Sequence, residues 1–122
     1  MARKILICDD EPNIVMALEF LMRQNGYETR VAEDGDQALR EVDSFAPDVV
    51  LLDVMLPRRD GFEVCQTLRA AGHKVKIIML TAKGRESEIT KGLALGADAY
   101  VTKPFSTRDL VEQVAALFDG VA

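Results

Sequence analysis

The sequence predicts an α/β domain, a (βα)5 chain folded as a doubly wound parallel sheet with helices on both faces. Three observations carry that expectation. Five short apolar runs recur, at Ile5–Cys8, Tyr27–Ala32, Val49–Val54, Val75–Thr81 and Ala99–Thr102. The third and fourth, "VVLLDV" and "VKIIMLT", are nearly continuous rather than alternating, as strands buried on both faces of a parallel sheet are. Each run is followed by an amphipathic stretch at helical spacing, and right-handed crossovers between parallel strands then place helices on both faces.

In chain order, the first run ends at Cys8, and Asn13–Gln24 follows with Ile14, Ala17, Leu18, Leu21 and Met22 at helical spacing and Asn25-Gly26 as a stop. "YETRVA" alternates and belongs near a sheet edge. Asp36–Phe45 is a shorter helix that ends before Pro47. Phe62–Ala71 carries Phe62, Cys65 and Leu68 and is closed by Gly72. Arg85–Leu95 ends at Gly96, and Thr107–Phe118 ends near Gly120. No linker, repeat or low-complexity segment interrupts the pattern, so residues 1–122 are expected to form a single domain.

Composition narrows the function. A chain of 122 residues can bury a core of its own. A net charge of -5 argues against a broad nucleic-acid footprint, and no direct nucleic-acid binding is expected. No run approaches the roughly 20 apolar residues that span a bilayer. Arg3 and Lys4 precede too few apolar residues for a secretory leader, so a cytoplasmic protein without a membrane partner is expected. Cys8 and Cys65 show neither metal-ligand nor CxxC spacing and read as reduced, packed thiols. His73 reads as a solvated loop histidine.

Doubly wound sheets bind ligands at the carboxyl ends of their strands. The first run ends at Asp9-Asp10, the third reaches Asp53, the fourth Thr81 and the fifth Lys103-Pro104. Each has an ordinary reading alone: Asp9-Asp10-Glu11 before Pro12 as an acidic helix start, Thr81 as a β-branched strand residue, Lys103 as a surface lysine. Their convergence on one rim is what favours chemistry. Two carboxylates about 4 Å apart repel by roughly 4 kcal/mol at an effective dielectric near 20. A divalent cation reverses that cost, and oxygen ligands with open positions suit Mg²⁺. Cation, ammonium and hydroxyl together make a cradle for a phosphoryl group, with Asp53 as the best placed nucleophile. Glu11 reads as a bystander. Arg58 and Arg59, beside that acceptor, read as solvated loop charges or as aids to a phosphoryl donor.

"ILICDDEP", "PDVVLLDVMLPRRDGFEVC", "IIMLTA" and "GADAYVTKPF" resemble the receiver (CheY-like) domain of bacterial two-component response regulators, over about residues 3 to 119. The resemblance implies a flavodoxin-like fold with strand order 2-1-3-4-5. It implies that Asp53 accepts a phosphoryl group from a phosphohistidine of a sensor histidine kinase or phosphotransfer protein. It implies Mg²⁺, or Mn²⁺ in its place, held by Asp10, Asp53 and the backbone carbonyl of Met55, with Asp9 in support. Thr81 and Lys103 then bind the phosphoryl oxygens, Tyr100 is a switch aromatic, and the Lys103–Pro104 peptide is cis. The same resemblance makes the domain a phosphoacceptor that catalyses only its own phosphorylation and dephosphorylation, not an enzyme acting on other substrates. Its output surface is then the fourth helix, fifth strand and fifth helix, with a homodimer through the same face; the candidates for it are whichever of Ile89, Leu93, Leu110 and Val114 stand exposed, which the sequence leaves open. Gly92 inside the fourth helix and the polar "AKGRES" before it fit a mobile element. Gln113 and Ala99 depart from residues common at that interface. Met55 and Lys83, which offer no carboxylate or amide to orient water, imply slow self-dephosphorylation. "LALGADAYVTKPFSTRDLVEQVAALF" looks most like receivers that precede a winged-helix DNA-binding domain.

Two other classes fit less well. An aspartyl-phosphate hydrolase wants a second Asp where Met55 stands, and a flavodoxin-like nucleotide binder wants a Gly-rich loop where "DDEPN" stands. The alternative of a different class is a pseudo-receiver, a binding module with this fold and no functional phosphorylation.

Overall fold

The computed structural model describes residues 2–82 and 85–119. Strands and helices alternate throughout: β1 (Lys4–Cys8), α1 (Pro12–Gln24), β2 (Glu28–Ala32), α2 (Gly35–Phe45), β3 (Val49–Asp53), α3 (Gly61–Ala70), β4 (Lys76–Ala82), α4 (Glu86–Ala94), β5 (Ala99–Lys103) and α5 (Thr107–Asp119). The boundaries lie within a residue of those read from the sequence. The five strands form one parallel sheet in the order β2-β1-β3-β4-β5. The alternating run is an edge strand, and the continuous runs β3 and β4 are interior, as their patterns require.

Successive strand side chains point to opposite faces, and the sheet therefore supports two cores. Ile5, Ile7, Val49, Leu51, Ile78 and Leu80 face α1 and α5, where Leu18, Met22, Leu110 and Val114 cover them. Leu6, Cys8, Val50, Leu52, Ile77 and Met79 face the other way, against Val42, Val64 and Leu68 of α2 and α3. Truncating one of these interior side chains to Ala typically costs about 2–5 kcal/mol. Both cysteines are buried free thiols in the second core.

Local chemistry sets the helix ends. Pro12 occupies the first turn of α1, and Gly26 at φ 88 lets the chain turn back into β2. Asp34 caps α2 by accepting from Gln37 N at 2.7 Å, and Asp60 caps α3 by accepting from Glu63 N at 2.9 Å. Among the described residues α4 has no side-chain cap, and its only buried residue is Gly92. That glycine is a packing device as well as a weak helix former: a Cβ there would lie 3.2 Å from Met79 Cγ. The structure decides which of the four output-surface candidates are exposed. Leu110 and Val114 are fully buried against the sheet, because helical periodicity carries them onto the inner stripe of α5. Leu93 is exposed and Ile89 half-buried.

Candidate functional site

The carboxyl ends of β1, β3, β4 and β5 meet at one rim. Parallel register sets the alignment: Asp53 is level with Leu80, so Thr81 stands one residue beyond it on the neighbouring strand, and Thr102 and Lys103 pair with Thr81 and Ala82. All the residues expected at the rim gather there. Asp9, Asp10 and Asp53 each bring a carboxylate oxygen within 4.8 Å of the others. Asp9 is completely buried, Asp53 nearly so, and Asp10 is exposed.

Lys103 reaches across the rim. Its Nζ donates to Asp9 Oδ2 at 2.7 Å and stands 3.5 Å from Asp53 Oδ1. The second oxygen of Asp9 accepts from Glu11 N at 2.9 Å, which fixes the turn into α1. Met55 N donates to Asp53 Oδ1 at 3.2 Å, while the Met55 side chain is exposed. Asp9 is thus more than a supporting acid: it is the anchor that holds the lysine over the site. The Lys103–Pro104 peptide is cis. Tyr100 projects from β5 and is 40% exposed.

Electrostatics follow from this packing. Burial pushes the Asp53 carboxyl above its ordinary range; Lys103 opposes that rise and the Asp9 charge adds to it. Burial would lower Lys103, but its hydrogen bond to Asp9 and the charges of Asp53 and Asp9 outweigh burial and hold the ammonium above its usual value. Burial, reinforced by Asp9, pushes the Cys8 thiol far up, so it is no nucleophile. Three carboxylates therefore face one ammonium, and they present only hard oxygen donors, the set a small divalent cation takes. Thr81 Oγ1 is the one buried side-chain polar atom among the described residues with no hydrogen-bond partner. An orphaned buried hydroxyl costs about 1–3 kcal/mol, and here it lies on the strand beside Asp53.

Glycines at the site went unread as site residues. At Gly61 a Cβ would run into the Asp53 carbonyl, and Gly61 N donates to Val54 O at 2.9 Å. Arg58 and Arg59 are not simply solvated: they pair with Asp34 at 3.5 Å and with Asp36 at 2.6 Å. Lys83 and Gly84 lie outside the described residues.

A doubly wound domain with an acidic, lysine-bearing rim at its strand ends and an unmatched hydroxyl beside it has the architecture of a signalling receiver. The chain is a member of the response regulator receiver domain family, whose model matches residues 5–115. Solved structures agree. A protein from Chloroflexus aurantiacus J-10-fl assigned as a response regulator is 36% identical over 93% of this chain and 95% of its own, with a TM-score of 0.88. The receiver domain of the Francisella response regulator 1452 is 32% identical over 98% of this chain and 99% of its own, with a TM-score of 0.92. NtrX from Brucella abortus matches with 28% identity and a TM-score of 0.92 over 98% of this chain but only 28% of its own, so there the same fold is part of a longer protein. The protein is a CheY-like receiver of a two-component response regulator. No helix among the described residues is long and apolar enough to cross a membrane.

Proposed function

We infer that this receiver accepts a phosphoryl group on Asp53 from a phosphohistidine of a sensor histidine kinase or phosphotransfer protein, and that the acyl phosphate switches its surface toward an output partner. The observation that carries the reading is the Thr81 hydroxyl, buried without a partner on the strand between those of Asp53 and Lys103. A hydroxyl left unmatched in the resting domain has a partner to gain only when acceptor oxygens arrive.

Both protein contacts to Asp53 fall on Oδ1, so Oδ2 is the oxygen that attacks. Its lone pair forms the O–P bond as the P–N bond of the phosphohistidine breaks, and the imidazole nitrogen leaves with the pair from that P–N bond. Such a transfer asks the protein for position and charge neutralisation more than for acid-base work. Lys103 supplies a fixed ammonium, held there by Asp9. Asp10 and Asp53, the Met55 carbonyl and Asp9 in support would hold Mg²⁺ or Mn²⁺, which when bound offsets the clustered carboxylates and the charge of the phosphoryl oxygens. The domain works on itself, making and losing its own phosphate, and turns over no other substrate.

The phosphate adds about -1.5 to -2 charge and three strong acceptors. Thr81 moves to donate to them, Tyr100 turns inward into the space released, and α4, held by one buried glycine, shifts with the face it shares with β5 and α5. That face carries a groove of about 330 Å³ lined by Tyr100, Thr102, Phe105 and Gln113 among others, a surface for an output domain or a second copy.

Intact mass after treatment with acetyl phosphate and Mg²⁺ tests the reading. A single phosphate adduct is expected, lost in Asp53→Ala. No adduct means a binding module without phosphorylation, and one that persists in Asp53→Ala means that another residue is the acceptor; either overturns the reading.

A further inference from the structure

The loop after Asp53 leaves the sheet at Val54 and returns at Gly61. Two clamps hold it. At the neck, Gly61 N donates to Val54 O at 2.9 Å, and Gly61 abuts the Asp53 carbonyl so closely that no Cβ fits. At the tip, the first turn of α2 takes hold. Gly35 N donates to Pro57 O at 3.1 Å, and a Cβ on Gly35 would collide with the backbone carbonyl and Cβ of Arg59. Arg58 pairs with Asp34 and Arg59 with Asp36, on either side of that glycine.

The tip is also bent unfavourably. Arg59 N donates to Pro57 O at 2.8 Å, closing a three-residue γ-turn whose central residue, Arg58, has φ 68. A long side chain at positive φ is uncommon, and this turn persists only where its surroundings impose it. The Pro57 carbonyl accepts from both Arg59 N and Gly35 N, so the α2 turn and the bent tip share one acceptor. Met55 lies between neck and tip, and its N–H is what holds Asp53 Oδ1.

We propose that Gly35, with the Asp36–Arg59 pair, is a positioning element for the acceptor: the first turn of α2 fixes the loop tip, and through it the Met55 backbone that orients Asp53. This rests on Asp53 being the phosphoryl acceptor and adds a determinant from an element that contributes no side chain to the rim. Any side chain at position 35 forces the tip outward, because the obstacle is Arg59 backbone rather than a flexible chain end.

The experiment compares wild type, Gly35→Ala and Arg59→Ala by three readouts: hydrogen exchange of the Met55 amide in metal-free protein, Mn²⁺ affinity by water-proton relaxation, and phosphorylation of Asp53 by acetyl phosphate. In Gly35→Ala with a native circular dichroism spectrum, Met55 exchange is expected to quicken about tenfold, and Mn²⁺ affinity and the rate at saturating donor to fall about tenfold, with the donor KM unchanged. A folded Gly35→Ala matching wild type in Met55 exchange and Mn²⁺ affinity overturns the proposal. Should Gly35→Ala not fold, Arg59→Ala decides, since it removes only an exposed pair. Losing a cation near the carboxylates would by Coulomb's law tighten Mn²⁺ binding, whereas a loosened tip weakens it, by about twofold or more. Unchanged or tighter binding overturns the proposal. If wild type takes no phosphate at all, the acceptor reading fails, and amide exchange and Mn²⁺ affinity still decide the role of the α2 turn.

Discussion

Aspartates and cations gather at both ends of the sheet, and the two ends treat them differently. At the amino ends, Asp98 Oδ2 accepts from Ile77 N at 2.9 Å and from Arg69 Nη2 at 3.1 Å, with Lys76 4.0 Å from its other oxygen. Arg69 also donates to the Gly96 and His73 carbonyls, and Asp48 accepts from Lys4 N at 2.8 Å. Each of these groups has a partner. At the carboxyl ends, three carboxylates share one lysine and the Thr81 hydroxyl has no partner. One end is matched as folded; the other leaves charge and a hydroxyl unmatched. The difference separates residues that hold the fold from residues that wait for chemistry, and it can be broken or sharpened by substitution at each end.

The largest effect on stability is expected at the matched end. Arg69→Ala removes three hydrogen bonds from a mostly buried guanidinium and leaves Asp98 with less than its charge requires. About 3 kcal/mol should be lost in urea unfolding, with phosphate uptake at Asp53 unchanged in the folded protein. Loss of uptake in folded Arg69→Ala would erase the distinction between the ends. Lys103→Met comes next. It strands Asp9, which is fully buried, beside Asp53, and about 2 kcal/mol should go. Here uptake falls with stability, and the deficit should shrink in acid as the stranded carboxylates take up protons.

Asp53→Asn should act in the opposite direction. Burial raises the folded-state pKa of Asp53 above its unfolded value, against the pull of Lys103, so the native state binds the proton more tightly than the unfolded chain. Stability from this group is full below the ordinary carboxylate range and is lost as pH rises through the raised value. At neutral pH the ionised carboxylate is therefore a burden, and Asp53→Asn should gain stability, read as a higher Tm. The gain should vanish in acid. A destabilised Asp53→Asn at neutral pH would show that Lys103 already satisfies the site.

The rim was legible in the sequence because each member ends an apolar run. Asp9, Asp10, Asp53, Thr81 and Lys103 need only the strand period and the rule that parallel strands bring like ends together. What escaped depends on contacts between distant segments. Gly35 and Arg59 meet only after α2 packs beside the loop from β3, and neither carries a local signal of it. Gly92 reads as a weak point from helix propensity, which sees the helix and not Met79 beneath it. Which of Ile89, Leu93, Leu110 and Val114 are exposed is not legible, because a helical stripe does not declare which side the sheet lies on. The pairing of Asp9 with Lys103 needed side-chain geometry across 94 residues.

Thr81→Val should have the smallest effect on stability and is the sharpest test of the contrast. The two side chains share a shape, and valine ordinarily fails in place of threonine because a hydrogen bond is lost. Here none exists to lose, since Thr81 Oγ1 is buried with no partner. Replacing a desolvated, unpaired hydroxyl by a methyl group should leave stability unchanged or raise it by up to about 1 kcal/mol. The same change removes the donor that a phosphoryl group on Asp53 would engage. Spectra of Tyr100 before and after acetyl phosphate should then shift in wild type and stay near the resting position in the variant, even with the phosphate in place. A variant that loses stability would mean the hydroxyl has a partner in the resting state. One whose Tyr100 still responds fully would mean the switch runs through another group at the rim.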